Sequence, residues 1–472
     1  MILAILSIIV FGFIIFIILK QPRIKIPRST KSFQLDYGLA PLLGVAILLL
    51  SFQLDPTVLV AGIIGNENIR PYMIILLFFS LAYVCISIDL TGFFEYLALS
   101  AAKKSGSSGK KLFFYFFLLS SVLTIFTSND IVILTLTPII VYFCKYTKTN
   151  PLPYLIGQFF AANIWSITLY IGNPTNIIVA QANHLTFVGY SVWMFLPTIA
   201  SGLLCYALLR ILFKKVIPDK ITPPEIDPAS ALKDPAGAKF SILMLASCLG
   251  FLTVAPIFGL DMGIICFVFM LIMMGKDLVY DYKVKKRGET KFKVETSGSA
   301  NPKDQHESSI LTAAKRMPWK IMPFVFGMFI MVEILGSAGW ISAFSTAIAG
   351  VESQMGTFAS IFFMCFVSSL TCNIMNNQPM TILFTRMLQD PAFVVPGVTR
   401  SASMFALIMG SNFGANFTLI GALAGIMWSS ISKEKGMQIT YKEFAKYGFI
   451  IMPAVVAVAS LVLALEFLVG FA

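Results

Sequence analysis

Long apolar runs separated by short polar stretches rich in Lys and Pro dominate this chain. A helix that crosses a bilayer needs about 20 mostly apolar residues. Runs that approach or meet this length lie at 2–19, 36–53, 71–100, 154–182, 192–213, 240–256, 260–275, 321–345, 401–429 and 447–470, which predicts ten crossings. The first run lacks a basic start and an A-x-A site and is followed by further spans, so it is expected to remain as a membrane helix rather than be cleaved as a signal peptide. Two apolar segments resist a single crossing. Residues 112–144 read as two arms around Thr127–Asp130 (TSND), and residues 356–388 as two arms around Cys372–Asn377 (CNIMNN). An arm of about 14 helical residues rises only about 21 Å, short of the roughly 30 Å hydrocarbon core, whereas an unbroken helix would overshoot it. Both segments are therefore predicted as re-entrant hairpins.

Charge placement orients these elements. Of 35 Lys and Arg, 31 fall in the segments 20–31, 101–112, 145–150, 214–239, 276–320 and 431–446, which the positive-inside rule assigns to the cytoplasm. Lys103, Lys104, Lys110 and Lys111 precede the first hairpin and Lys145 and Lys148 follow it, so both of its ends are expected inside. Both chain termini then face outside, in a multi-pass protein of the cell (cytoplasmic) membrane. The formal charge of +12 becomes a matter of topology, and no nucleic-acid partner is expected.

Composition narrows the chemistry. With 57% hydrophobic and 12% charged residues and a mean hydropathy of +0.83, against about 25% charged in soluble domains, a soluble globular protein is excluded. Only His184 and His306 are present, and the seven cysteines stand singly in apolar runs, with no CxxC or HExxH. No metal or cofactor is expected, and no enzyme activity. The pair Gly109-Lys110 is no P-loop, because Lys occupies positions 104 and 111 where a Gly and a Ser or Thr would be needed.

A constant shift of 247 residues aligns Pro71 with Pro318, Gly92 with Gly339, Thr124 with Thr371 and Asn129 with Asn376. Each half then holds five crossings and one hairpin, and an odd number of crossings inserts the second half upside down, the inverted-repeat design of secondary transporters. The predicted fold is thus an all-α polytopic membrane protein of two inverted repeats with broken helices at the midplane. The first repeat spans 1–213, a Pro-rich inner linker 214–239, and the second repeat 240–472, with 276–316 as a charged, disordered cytoplasmic loop.

Polar residues at membrane depth are costly and are candidates for function. Four clusters qualify: Thr127, Ser128, Asn129 and Asp130 at the first tip; Asn373, Asn376 and Asn377 at the second; and the runs Ala162–Asn176 and Gly410–Ala422, which interrupt long apolar helices. Ser, Asn and Asp before a helix cap its free amides, and helix N-termini at mid-membrane also favour anions or polar solutes. Gly172-Asn173-Pro174 must stop one helix and start another. A shift of 249 pairs Asn163 with Asn412, making the two interruptions repeat mates. For a proton carrier the candidates are Asp130 at the tip, then Asp89 and Glu333 within spans. Glu466 is expected at the outer interface.

The stretches SNDIVILTLTPIIV, IGNPTNIIVA, PWKIMPFVFGMF, MNNQPMTIL and GSNFGANFTLIGALAGIMW resemble the arsenite and antimonite efflux permeases of the ion transporter superfamily, which also holds NhaD-type sodium/proton antiporters and divalent anion symporters. The resemblance runs from about residue 36 to 470. GNPTN follows the superfamily's Pro-containing break rather than the permeases' own Ser-Asn break. The resemblance implies transport residues at the tips and breaks, namely Asn129, Asp130, Asn173, Thr175, Asn176, Asn376, Asn377, Ser411, Asn412, Asn416 and Thr418. It implies proton-coupled efflux of arsenite, antimonite or a similar small oxyanion or oxyacid. The alternative within the same superfamily is a sodium/proton antiporter or a sodium-coupled dicarboxylate carrier. The lipid bilayer, protons or sodium, a homodimer mate and a soluble ATPase subunit are the partners it suggests.

Overall fold

Helices form wherever the apolar runs lie, because inside a bilayer a chain must satisfy its backbone amides within its own segment. The computed structural model describes residues 2–25, 32–51, 57–65, 69–222, 227–286 and 308–470. Among them, helices α1 (Ile2–Lys20), α2 (Ala40–Leu50), α3 (Thr57–Ile64), α4 (Pro71–Leu90), α5 (Phe93–Ser105), α6 (Gly109–Phe126), α7 (Asn129–Tyr146), α8 (Leu152–Trp165), α9 (Pro174–Ala182) and α10 (Phe187–Leu212) make up the first part. The second part holds α11 (Pro235–Val254), α12 (Met262–Lys286), α13 (Ser309–Arg316), α14 (Ile321–Ser337), α15 (Trp340–Met375), α16 (Asn377–Gln389), α17 (Gly397–Phe413), α18 (Leu423–Glu434) and α19 (Tyr441–Val469). A two-stranded antiparallel pair, β1 (Arg23–Lys25) and β2 (Ser32–Gln34), is in register Arg23 to Gln34.

Ten helical stretches among the described residues are long and apolar enough to cross a membrane, but they are not the ten runs read from sequence. The run 36–53 becomes the short helix α2, followed by the eight-residue α3. The run 71–100 is two helices, α4 and α5, because Gly92 at φ 84° takes the left-handed conformation and ends the first. Gly339, its mate at the 247 shift, also has φ 84° and divides α14 from α15 in the same way.

The two hairpin segments are helix pairs; three of their four arms exceed the expected 14 residues, and α16, with 13, matches it. Helices α6 and α7 have 18 residues each, because the polar flanks continue the helix from the Ser108 cap onward. The second pair is the part of α15 beyond its kink at Gly356 (φ 73°), followed by α16. The order of elements from α4 to α10 thus recurs from α14 to α19. Across the two parts, α7 packs on α18 and α9 on α16.

The segment 276–316, expected as a disordered charged loop, is helical at both described ends. Its remainder, including His306, lies outside the described residues. Lys276 and Asp277 belong to α12, where Asp277 is buried against α4. Its carboxylate accepts from Tyr83 Oη (2.9 Å) and Ser87 Oγ (2.8 Å), with Lys276 Nζ at 2.7 Å. Glu466, expected at an interface, is buried on α19. In the linker, Lys233 and Asp234 donate their amides to the Thr91 carbonyl at 2.9 and 3.2 Å, and Lys110 holds the exposed Asp219 carboxyl below its usual range by hydrogen bond and charge.

Candidate functional site

Each break is built by its own sequence. Helix α8 stops at Ser166, a short turn covers Tyr170–Gly172, and Asn173 caps α9 by accepting from the Thr175 amide at 3.2 Å, with Pro174 in the first helical position. Asn176 Nδ2 donates back to the Ser166 carbonyl at 2.8 Å and closes the loop. In the second part, α17 stops at Phe413, a turn covers Gly414–Asn416, and α18 begins at Leu423. Close backbone approach makes both loops possible: a Cβ on Gly172 would lie 2.3 Å from the Ser166 carbonyl oxygen, and one on its mate Gly421 2.4 Å from that of Gly414. Gly172→Ala is therefore expected to displace the acceptor of Asn176 and lower transport at least about tenfold, with a drop in thermal midpoint, consistent with overpacking costs of about 1–3 kcal/mol. An alanine variant with full transport would show that the loop tolerates the shift.

The two breaks and the two tips meet in one buried network. Asn412 stands at its centre: its Oδ1 accepts from Ser166 Oγ and Asn173 Nδ2, both at 2.8 Å, and its Nδ2 donates to Asn176 Oδ1 at 2.7 Å and to the Ile408 carbonyl at 2.8 Å. From the first tip, Asn129 Nδ2 donates to Asn163 Oδ1 (3.0 Å), and Asn163 Nδ2 to Asn416 Oδ1 (2.9 Å). Ser411 Oγ donates to Thr175 Oγ1 at 3.1 Å. From the second tip, Asn377 Nδ2 reaches the Ser411 carbonyl at 3.3 Å and its amide the Gly421 carbonyl at 2.9 Å. Asn376, at φ 72°, caps α16 and donates to the Ile420 carbonyl, while Thr418 Oγ1 donates to Asn373 Oδ1 at 2.5 Å.

Eight of the residues expected from sequence thus share one network, and Asn376 and Thr418 line its second-tip edge. Asn163 and Ser166 belong to it as fully as any of these. The signal for Asn163 was its alignment with Asn412; Ser166 is one of several small polar residues after α8 and carries no distinguishing mark. No side chain in the network is charged. Among the described residues no group of three or more His, Cys, Asp or Glu could hold a metal. Cys372 Sγ sits 3.8 Å from the Gly410 and Ser411 carbonyls and is not in a disulfide.

Asp130 stands at the network's edge. Its amide donates to Asn129 Oδ1 at 2.9 Å, and it lines a pocket with Tyr37, Ala82, Ser128, Arg316 and Leu423. That pocket meets the N-terminal ends of α7 and α18, where the helix dipole is positive. Asp89 and Glu333 lie outside the network, each in an ion pair. Asp89 pairs with Arg316, and Glu333 with Arg386 at 2.9 Å.

Broken helices facing paired helix tips, with a buried amide network inside a nearly all-helical apolar chain, define a multi-pass membrane transporter. The chain belongs to the citrate transporter family (CitMHS), which matches residues 11–399. It is 26% identical over 397 residues to an arsenical pump membrane protein of Escherichia coli, covering 83% of this chain and 86% of that protein. It is 23% identical over 406 residues to a 46 kDa membrane protein of Mycobacterium leprae, covering 86% and 89%. The fold is similar to that of the YdaH transporter of Alcanivorax borkumensis, whose crystal structure is described as having an unusual topology, with a TM-score of 0.56, 13% identity, and coverage of 100% of this chain and 98% of that one.

Proposed function

We propose that this secondary transporter exports arsenite, antimonite or a similar small oxyanion or neutral oxyacid in exchange for protons. One observation carries the reading: the network joining both breaks and both tips is made of amides and hydroxyls alone, with Asp130 as the carboxyl at its edge. Such groups match the hydroxyls of an uncharged oxyacid, donating and accepting in turn. A polyanion would leave its charge without a cationic partner in that network, and burying unpaired charge is costly. The likeness to arsenical pump proteins supports the same cargo.

In this account the repeats 1–213 and 240–472 are inverted about the membrane plane, joined by the inner linker 214–239, with both termini outside. Asp130 takes up and releases the coupling proton. The network's amides are partnered with one another, so a substrate hydroxyl exchanges places with a protein group rather than filling a vacancy.

A second reading, a citrate or dicarboxylate carrier, draws on the family match and on Arg316, whose side chain lines the Asp130 pocket. Expression in a bacterial strain stripped of its own arsenite efflux separates the two. The first reading expects higher arsenite and antimonite tolerance with no gain of growth on citrate; growth on citrate with unchanged tolerance would replace it.

A further inference from the structure

Glu352 is a buried acid that takes no part in the network described above. It is 1% exposed, lies on α15 one turn before the Gly356 kink, and accepts from Ser403 Oγ through Oε2 at 2.7 Å. Its other oxygen, Oε1, has no hydrogen-bond partner. The kink folds the chain back so that Ser360 Oγ donates to the Glu352 carbonyl at 3.3 Å, and Thr357 and Thr399 hydroxyls meet at 2.8 Å beside it.

The fold does not demand an acid here. At the repeat shifts, Glu352, Ser360 and Ser403 correspond to Ser105, Phe113 and Tyr154. There Ser105 Oγ donates to its own helix, at the Ala102 carbonyl, and Phe113 and Tyr154 pack ring against ring at 6.1 Å. One half fills this corner with aromatic rings; the other places a carboxyl among hydroxyls.

Charged groups on the surrounding elements are engaged elsewhere or form no ion pair with it. On α17, Arg400 donates to the Phe393 carbonyl and lies over that ring. Arg386 of α16 is held by Glu333 of α14. Asp390 accepts from Ser342 Oγ at 3.0 Å, and α19 carries Lys442, Glu443 and Lys446 in its first two turns and the buried Glu466 near its far end. Among the described residues Glu352 has no basic partner within 4.0 Å. Hard metal cations collect six or more oxygen ligands, whereas this carboxyl has one donating hydroxyl on one oxygen and nothing on the other. That arrangement suits a proton.

We infer that Glu352 is a second proton-binding residue of the transport cycle, lying at the base of the second helix pair. Ser403 carries its state into α17, whose Ser411 and Asn412 lie eight and nine residues further on, about 12 Å along the helix. If the repeats are inverted, Glu352 faces the side opposite the lysine-rich 101–112 segment, where protons would enter an exporter. The inference rests on the proton-coupled reading above.

Two measurements test it with Glu352→Gln, which keeps shape and removes the titration. The first is infrared difference spectroscopy of the purified protein between acid and alkaline pH, which does not depend on the cargo. A protonated-carboxyl stretch that disappears on alkalinisation and is missing from the glutamine variant is expected. Identical difference spectra for both proteins would overturn the inference. The second compares arsenite-for-arsenite counterflow with accumulation driven by a pH gradient in proteoliposomes. Retained counterflow with gradient-driven accumulation reduced about tenfold, within the usual range of coupling between sites, and restored by Glu352→Asp, is expected. Gradient-driven accumulation equal to wild type would overturn the proposal. Absence of arsenite transport in the wild type, with the infrared band present, would count against the cargo and not against Glu352.

Discussion

Asp130→Asn is expected to abolish arsenite export energised by a proton gradient, by about 100-fold, near the upper range of coupling between two ligands, while the protein still inserts in the membrane. The amide keeps the size of the carboxyl and leaves the bond from the Asp130 amide to Asn129 Oδ1 in place. It cannot take up or release a proton. The carboxyl lines the pocket at the N-terminal ends of α7 and α18, next to the network, and Arg316 lines the same pocket. Immunoblotting of membranes together with resistance and vesicle transport measures the effect. Full gradient-driven export by the asparagine variant would remove Asp130 from the coupling step.

The second large effect is expected at Asn412. Leucine keeps the branched shape and heavy-atom count of asparagine but is bulkier and cannot hydrogen-bond: Asn173 Nδ2 and Asn176 Oδ1 would lose their partner, while Ser166 Oγ would keep the Asn163 carbonyl at 2.8 Å. A buried polar group left without a partner costs about 1–3 kcal/mol, so two of them, together with the overpacking by a larger side chain, cost several kcal/mol at the junction of both halves. Asn412→Leu is expected to lower the thermal midpoint in detergent and to eliminate stabilisation by added arsenite. Asn412→Asp retains the acceptor for Ser166 and Asn173 and is expected to recover part of the stability but little of the transport. A leucine variant that arsenite stabilises as much as wild type would place substrate binding elsewhere.

The breaks and tips were legible because they violate a strong rule. Gly172-Asn173-Pro174 and Asn376-Asn377 put helix-stopping and amide groups where a membrane helix tolerates neither without compensation, so the residues announced the geometry. The division of 71–100 at Gly92 was weakly marked, because Asp89, Thr91 and Glu95 around the glycine read equally well as polar residues within one long span. Lys276 and Asp277 were assigned to a loop because they follow an apolar run; their partners Tyr83 and Ser87 lie on α4, nearly 200 residues away, and no local pattern contains that pairing. Glu352 stands among exposed polar residues after Gly350 in the sequence, and only the kink at Gly356 and the approach of α17 bury it. Sequence periodicity also says little about which apolar face meets lipid and which meets protein, since both are apolar.

The central claim is that this chain moves a small metalloid oxyacid against protons through the amide network. Everted membrane vesicles containing it, given labelled arsenite and an imposed proton gradient, test that claim most directly. Accumulation that a protonophore abolishes, with none for sodium or citrate under the same gradient, is the predicted result. No arsenite uptake, with uptake of citrate or sodium in the same vesicles, would contradict it.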